Sequence, residues 1–298
     1  MTRLFIHGIG TCAIGADEPF GEGTTALEDV PIKGYAKPAV RRRYGRVTRM
    51  IYIAAARAIE DAGIEDPSTL CVVSATAMGE VKVSLNLLAQ IKETGGSPIS
   101  PSLVPNSVHN APAGHLTIGL KNRRPSVTVS QGWLCAEAAI AAAEDLLLSG
   151  AGDAALVVIG DEADPAWIDR LEGAGASGWA RDLSGQRFQE GGAALVLSLN
   201  PSDRFRGSLE ARVERGGDER VMEIAGRTPG AEVRLRQGAG ASTLAEALPA
   251  AAIDGPGSGT SQLGAISVLL ERLKDTSCGE FLLIGREVDE IGWLHWAR

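Results

Sequence analysis

Residues 125–148, PSVTVSQGWLCAEAAIAAAEDLLL, constrain the fold more than any other stretch of this chain. Val127 and Val129 alternate with Ser126, Thr128 and Ser130, the two-residue period of a strand with one apolar face. The pattern then changes abruptly into an alanine-rich helix. A strand that passes directly into a helix makes a sharp elbow, and the unpaired N–H groups of the first helical turn leave that elbow electropositive. Such a position can hold an anion or activate a nucleophile, so the residue at its tip decides what chemistry is open to the chain.

The remaining pattern places the elbow in an α/β protein. Residues 4–7 read as an opening strand, followed by a Gly-rich acidic loop over residues 8–38. Val47, Met50, Ile51, Ala54, Ala55, Ala58 and Ile59 then mark one face of an amphipathic helix that stops at Ala62, with Gly63 as a left-handed cap. Residues 70–75 (LCVVSA), 154–159 (AALVVI) and 193–199 (AALVLSL) are apolar runs of the length and character of buried strands. Helical spacing recurs after Met78-Gly79-Glu80 and over residues 106–120. Past residue 209 a strand, an ambiguous stretch over 219–251, a turn cluster at 254–259, a helix over 261–273 and a closing hairpin follow. Strands alternating with helices predict sheets covered on both faces.

Composition removes several function classes. The net charge of −8 gives no footprint for nucleic acid, and no run reaches the ~18 apolar residues of a membrane span. Cys12, Cys71, Cys135 and Cys278 are dispersed without CxxC spacing, which predicts free thiols in a reducing compartment, the cytoplasm, with neither a disulfide framework nor a metal site. No pattern calls for a cofactor.

Several stretches, taken together and in order, resemble the beta-ketoacyl synthase superfamily, in particular its N-terminal-domain-like branch that includes chain length factors. Ser107-Val108-His109-Asn110-Ala111-Pro112-Ala113-Gly114 is similar to the SVHNAPAG signature of that branch. The RRRYGRVTRMIYIAAARAIEDAGI helix, Ser100-Pro101, the elbow, Gly160-Asp161-Glu162 and the RFQEGGAALVL stretch from Arg187 fall where the family has their counterparts. The resemblance implies a thiolase-like fold, layered αβαβα, usually dimeric. Residues 1–200 would form the ketosynthase-like N-terminal half and residues 201–298 an abbreviated C-terminal half with two or three strands.

A decarboxylative condensation in this family needs a thiolate and two histidines that stabilise the charge developing on the carbonyl. The chain has four histidines, His7, His109, His115 and His295, and none lies in a stretch like the family's histidine motifs. Against one motif Pro256 stands at the histidine position; against the other, Ser261 does. The elbow aligns in three ways, with Trp133, Cys135 or Gln131 at the nucleophile position. Trp133 or Gln131 at the tip puts Cys135 in the first helical turn, and a tryptophan there would fill the acyl cavity.

The resemblance therefore implies a catalytically inactive subunit that partners an active ketosynthase in a heterodimer, or itself in a homodimer, and works with an acyl carrier protein. Ser107, Val108, His109 and Asn110 would lie at the interface. Two alternatives stay open: a stand-alone synthase or acyltransferase using Cys135, and a homodimeric binder of acyl chains. The basic run from Arg41 to Arg49 reads as a solvated helix start or as a docking patch for an acidic carrier or the partner. Asp161, Glu162 and Asp164 read as a loop and helix start.

Overall fold

A computed structural model describes residues 3–13, 30, 32–96, 99, 101, 103–164, 190–203, 205–228, 231–235, 252–253, 269, 273, 279–287 and 290–298. The first half runs β1 (Leu4–Ala13), α1 (Pro38–Arg41), α2 (Arg46–Ala62), β2 (Cys71–Ala75), α3 (Val81–Thr94), α4 (Ala111–Gly119), β3 (Ser126–Val129), α5 (Cys135–Leu148), β4 (Ala154–Asp161) and β5 (Gly191–Ser198). The second contains β6 (Ser208–Arg215), α6 (Asp218–Gly226), β7 (Glu232–Leu235), β8 (Ala252–Ile253), β9 (Glu280–Glu287) and β10 (Glu290–Ala297).

The strands form one hydrogen-bonded array in the order β3-β2-β4-β5-β1-β6-β10-β9-β7-β8. It divides into two units of the same topology. In the first, β3, β2 and β4 are parallel while β5 and β1 are antiparallel; in the second, β8, β7 and β9 are parallel while β10 and β6 are antiparallel. Across the junction of β1 and β6 Leu4↔Leu209 and Phe5↔Ser208 pair, and Ile6 exchanges backbone hydrogen bonds with Gly207 and Arg206. The shorter second half thus keeps all five strands, more than the two or three expected. β7 and β8 escape notice because they are four and two residues long, too short to show a period.

Alternation along the strands builds the layers. Val157, Leu195, Leu197, Leu283, Leu294 and Trp296 point into a central core with Ala136, Ala139, Ile140 and Ala143 of α5. Leu156, Val158, Ala194 and Val196 face the other way, onto α2. Leu282, Ile284, Ile291 and Trp293 face Val221 and Ile224 of α6. Helix, sheet, helix, sheet, helix is the layered α/β arrangement that the resemblance implies.

β1 runs well past His7, where the glycines suggested a loop. The reason is packing. A Cβ at Gly8 would lie 2.2 Å from the carbonyl oxygen of Ala58, and one at Gly10 would lie 2.0 Å from that of Ala54. These glycines let α2 lie directly on the strand, and the matching small residues on the helix are Ala54 and Ala58.

Gly10→Ala is therefore expected to cost about 1–3 kcal/mol through overpacking. Gly226→Ala, at a site with open space around it, serves as the control and changes little. Urea midpoints at unchanged slope measure both.

Candidate functional site

The elbow is present. β3 ends at Val129, Gly132–Leu134 form a single 3-10 turn, and α5 starts at Cys135. Gly132 takes φ +50°, a left-handed conformation that lets the chain reverse into the helix. Cys135 is 0% exposed and belongs to the central core, with its sulfur accepting the Gln131 backbone N–H at 3.1 Å. The thiol is turned inward.

Gln131 leaves the elbow in the other direction. Its side-chain Nε2 donates to Glu290 Oε2 at 2.6 Å and so ties the elbow to the first residue of β10. The backbone of Trp133 lies in the 3-10 turn, and its side chain is outside the described residues. Next to it, Leu134 and Glu137 pack so close to Gly292 that a Cβ there would lie 2.6 Å from a Leu134 methyl and 3.2 Å from the Glu137 carboxyl. Glu137, fully buried in the first turn of α5, brings the chain's own carboxylate to the positive end of the helix.

The histidines are dispersed. His7 bonds the hydroxyls of Ser198 and Ser202 at 2.9 and 2.8 Å, and His115 bonds Asn106 Oδ1 at 2.8 Å. His295 bonds Glu280 at 2.7 Å, and His109 is exposed beside Gly79. No described hydrogen bond joins any of them to Gln131 or Cys135. Pro256 and Ser261 lie outside the described residues. The signature segment is surface: Val108, His109 and Asn110 are exposed and Ser107 is half-buried. It leads into α4, which packs on β2 and β3. β3 is the free edge of its unit, and Val104, Val108, Ile118 and Val127 are exposed apolar residues on these elements.

A feature missed in the sequence gathers at the C-terminal ends of β2, β4 and the start of β5. Asp161, Glu162, Glu80 and Glu190 are all at most 2% exposed. Asp161 accepts from Thr76 Oγ1 at 2.5 Å and from the N–H groups of Ala77 and Met78 at 2.8 Å each. Glu162 accepts from the N–H of Lys82 at 2.6 Å. Glu80 accepts from Thr48 N at 2.8 Å, Thr48 Oγ1 at 2.7 Å and Val47 N at 3.2 Å, so it caps α2 from a different element. Gly45 makes room for it, since a Cβ there would lie 2.2 Å from the Glu80 carboxyl. Arg46 forks onto Glu190, with Nη2 to Oε2 at 2.7 Å. The basic run is thus divided. Arg42 and Arg43 are exposed, Arg46 is held in an ion pair, and Arg49 reaches back to the Tyr44 carbonyl at 3.2 Å.

Asp161 and Glu162 are buried and close the β2–α3 connection; the helix expected after them falls outside the described residues. The signal was available: Gly79-Glu80 and Gly160-Asp161-Glu162 follow two apolar strands, and adjacent parallel strands bring their C-terminal ends together. Buried to this degree, the carboxylates serve as brackets and have no access to a substrate.

Burial pushes Asp161 up to about 6 and Glu162 up to about 8, the latter with help from Glu80 and Glu190. A carboxyl whose folded pKa is raised gives stability that is full below its unfolded value and is lost as pH rises through the folded one. Thermal stability is expected to fall between about pH 4 and 8 on this account. Glu162→Gln, which keeps the acceptor for Lys82, should flatten the upper part of that fall in a melting-temperature series.

No curated protein matches the sequence. Among solved structures, the chain is similar to a type II polyketide synthase complex of an acyl-carrier protein with its hexaketide-bound ketosynthase, at TM-score 0.83 and 12% identity over 100% of this chain and 99% of that one. It is similar to the ishigamide ketosynthase/chain length factor at 0.76 and 17%, over 99% of both chains. It is also similar to a ketosynthase in complex with its chain length factor from Xenorhabdus doucetiae at 0.59 and 15%, over 100% of both. These likenesses establish the thiolase-like fold. The family profile described as beta-ketoacyl synthase, N-terminal domain, matches residues 25–222, about two thirds of the sequence, and the chain belongs to that family.

Proposed function

We propose that this protein is a chain length factor-like subunit without condensing activity, which pairs with an active ketosynthase in the cytoplasm and shapes chain elongation on an acyl carrier protein. The observation that carries this reading is the inward-turned Cys135 thiol. A nucleophile must meet its thioester, whereas this one is packed in the central core at the first residue of α5. The dispersal of the four histidines supports the same reading, because among the described residues none of them is bonded to the elbow. Gln131 and Cys135 then serve to hold the elbow in place.

Two surfaces fit the partners. β3 offers an unpaired edge next to Val104, Val108, Ile118 and Val127, a combination that suits strand addition by a second subunit of the same fold. Ser107, Val108, His109 and Asn110 border that face. From residue 30 to residue 59 the chain carries eight Lys and Arg and no Asp or Glu, within a protein of net charge −8. Lys33, Lys37, Arg42 and Arg43 of this stretch are exposed, which suits an acidic carrier protein. Similar structures named as ketosynthase/chain length factor pairs and as a carrier complex supply the precedent for both partners.

Coexpression with a ketosynthase that has an intact catalytic triad should yield a heterodimer. Val127→Asp combined with Val108→Asp should weaken that association by more than ten-fold without unfolding the subunit, since both side chains are exposed in the isolated chain. Intact-mass spectrometry after incubation with acyl-loaded carrier protein should show no adduct. An acyl adduct lost in Cys135→Ala would instead establish the stand-alone synthase, and a homodimer that ignores every ketosynthase would overturn the pairing.

A further inference from the structure

His7 sits where β1 breaks its own alternation. Ile6 pairs with Leu197 and Gly8 with Val196, so His7 is the extra residue of a β-bulge. Ile6 packs in the central core, while Gly8, two residues on, already lies against α2. A bulge re-aims the side chain it carries, and here it turns the imidazole onto the turn that follows β5. That turn is held in place. The Phe205 N–H donates to the Ser202 carbonyl at 3.1 Å, the Phe205 ring meets Phe5 edge-on at 5.6 Å between centroids, and the Arg206 N–H donates to the Ile6 carbonyl at 2.8 Å.

The hydrogen bonds around His7 assign its tautomer. Nε2 lies 3.1 Å from the carbonyl oxygen of Asn200, which can only accept. It also lies 2.9 Å from Ser198 Oγ, whose own proton goes to the same carbonyl at 2.6 Å. Nε2 therefore carries the ring proton, and Nδ1 of the neutral imidazole is an acceptor. Ser202 Oγ stands 2.8 Å from Nδ1, so its hydroxyl donates to the ring. Burial holds the His7 pKa below its ordinary value, against the pull of the Asn200 carbonyl, and the ring is neutral near pH 7. Ser202 is exposed. A hydroxyl bonded to a neutral imidazole, whose other nitrogen is oriented by a fixed acceptor, is the arrangement that activates a serine.

We infer that Ser202 is an activated nucleophile, with His7 as its general base, that cleaves small activated oxygen esters at the protein surface. Ser202 Oγ bonds to the ester carbonyl carbon while its proton passes to His7 Nδ1. The bond from that carbon to the leaving phenol oxygen breaks, and the phenol oxygen takes the proton from His7. Water then attacks the acyl-serine and gives its proton through His7 to Ser202 Oγ, so a carboxylic acid leaves and the serine is restored. The site is independent of the elbow and of the subunit pairing proposed above. A label here maps to Ser202 and not to Cys135, so either reading can fail alone.

Fluorophosphonate-biotin labelling of the full chain, read by peptide mass mapping, tests this. Ser202 Oγ displaces fluoride from phosphorus, and the resulting ester does not turn over, whereas an acyl-serine is hydrolysed. Label on Ser202 is expected, absent in Ser202→Ala and about a hundred-fold slower in His7→Gln, the usual size of a lost general base. Hydrolysis of p-nitrophenyl acetate above the buffer rate should fall in parallel. Exposed Ser149, whose hydroxyl donates to the Leu146 carbonyl at 2.7 Å, is the internal control and should stay unlabelled. Unfolding the wild-type chain in urea should remove the label from Ser202, which reads the dependence on folded geometry even where His7→Gln fails to fold. No label on the wild type, equal labelling of Ser149 and Ser202, an undiminished rate in folded His7→Gln, or undiminished labelling in urea would each overturn the inference.

Discussion

Everything in this fold leans on one helix, α5, whose buried face packs on both units of the strand array. α5 lies between two five-stranded units whose direct backbone pairing is confined to a short stretch of β1 against β6 and the residues before it, so much of what holds the units together is the core they both pack on. Its alanines let the sheets approach closely, while Ile140 and Leu147 fill the remaining space with Phe281, Leu294 and Trp296. A fork from Arg212 of β6 to Glu144 of α5, with Nη2 to Oε1 at 2.9 Å, adds a directional link across the layers. Such a half-buried pair is a weak source of net stability, but loss of Arg212 would strand the buried Glu144 carboxylate. The fork fixes how the layers are registered more than how strongly they adhere.

The same helix fixes how the elbow is held. In an enzyme of this family the strand-to-helix turn would present a thiolate to a cleft. Here the turn is tied on both sides, by the Gln131 N–H to the Cys135 sulfur and by the Gln131 side chain to Glu290. Glu137 brings a carboxylate to the helix end that would otherwise favour an anionic nucleophile. The turn thereby joins the two units and is constrained by packing.

Much of this was legible in the sequence where a period was long enough to see. α2 shows its apolar face and its Gly63 cap, and β2, β4 and β5 show as continuous apolar runs because both faces of the sheet are covered. The elbow was visible as a change of period. What stayed hidden was set by partners distant in sequence. Gly8 and Gly10 look like loop residues until the carbonyls of α2 are placed above them. Arg46 looks solvated until Glu190 arrives, 144 residues later. Orientation of the Cys135 thiol belongs to the same class: sequence places it in the first helical turn, but only packing decides which way it points.

The cap on α2 has a consequence for how the chain reaches this state. A helix usually brings its own stop for its first N–H groups, in the form of a serine, threonine or aspartate just before it. α2 has Gly45 there, without a side-chain bond, and borrows the carboxylate of Glu80 from beyond β2. Its first turn can therefore be completed only after the intervening segment has closed into a loop, at an entropic cost paid before the contact gives any return. In this chain the start of α2, the longest described helix, depends on a nonlocal contact, and the α2–β2–α3 unit is expected to assemble as a single folding step.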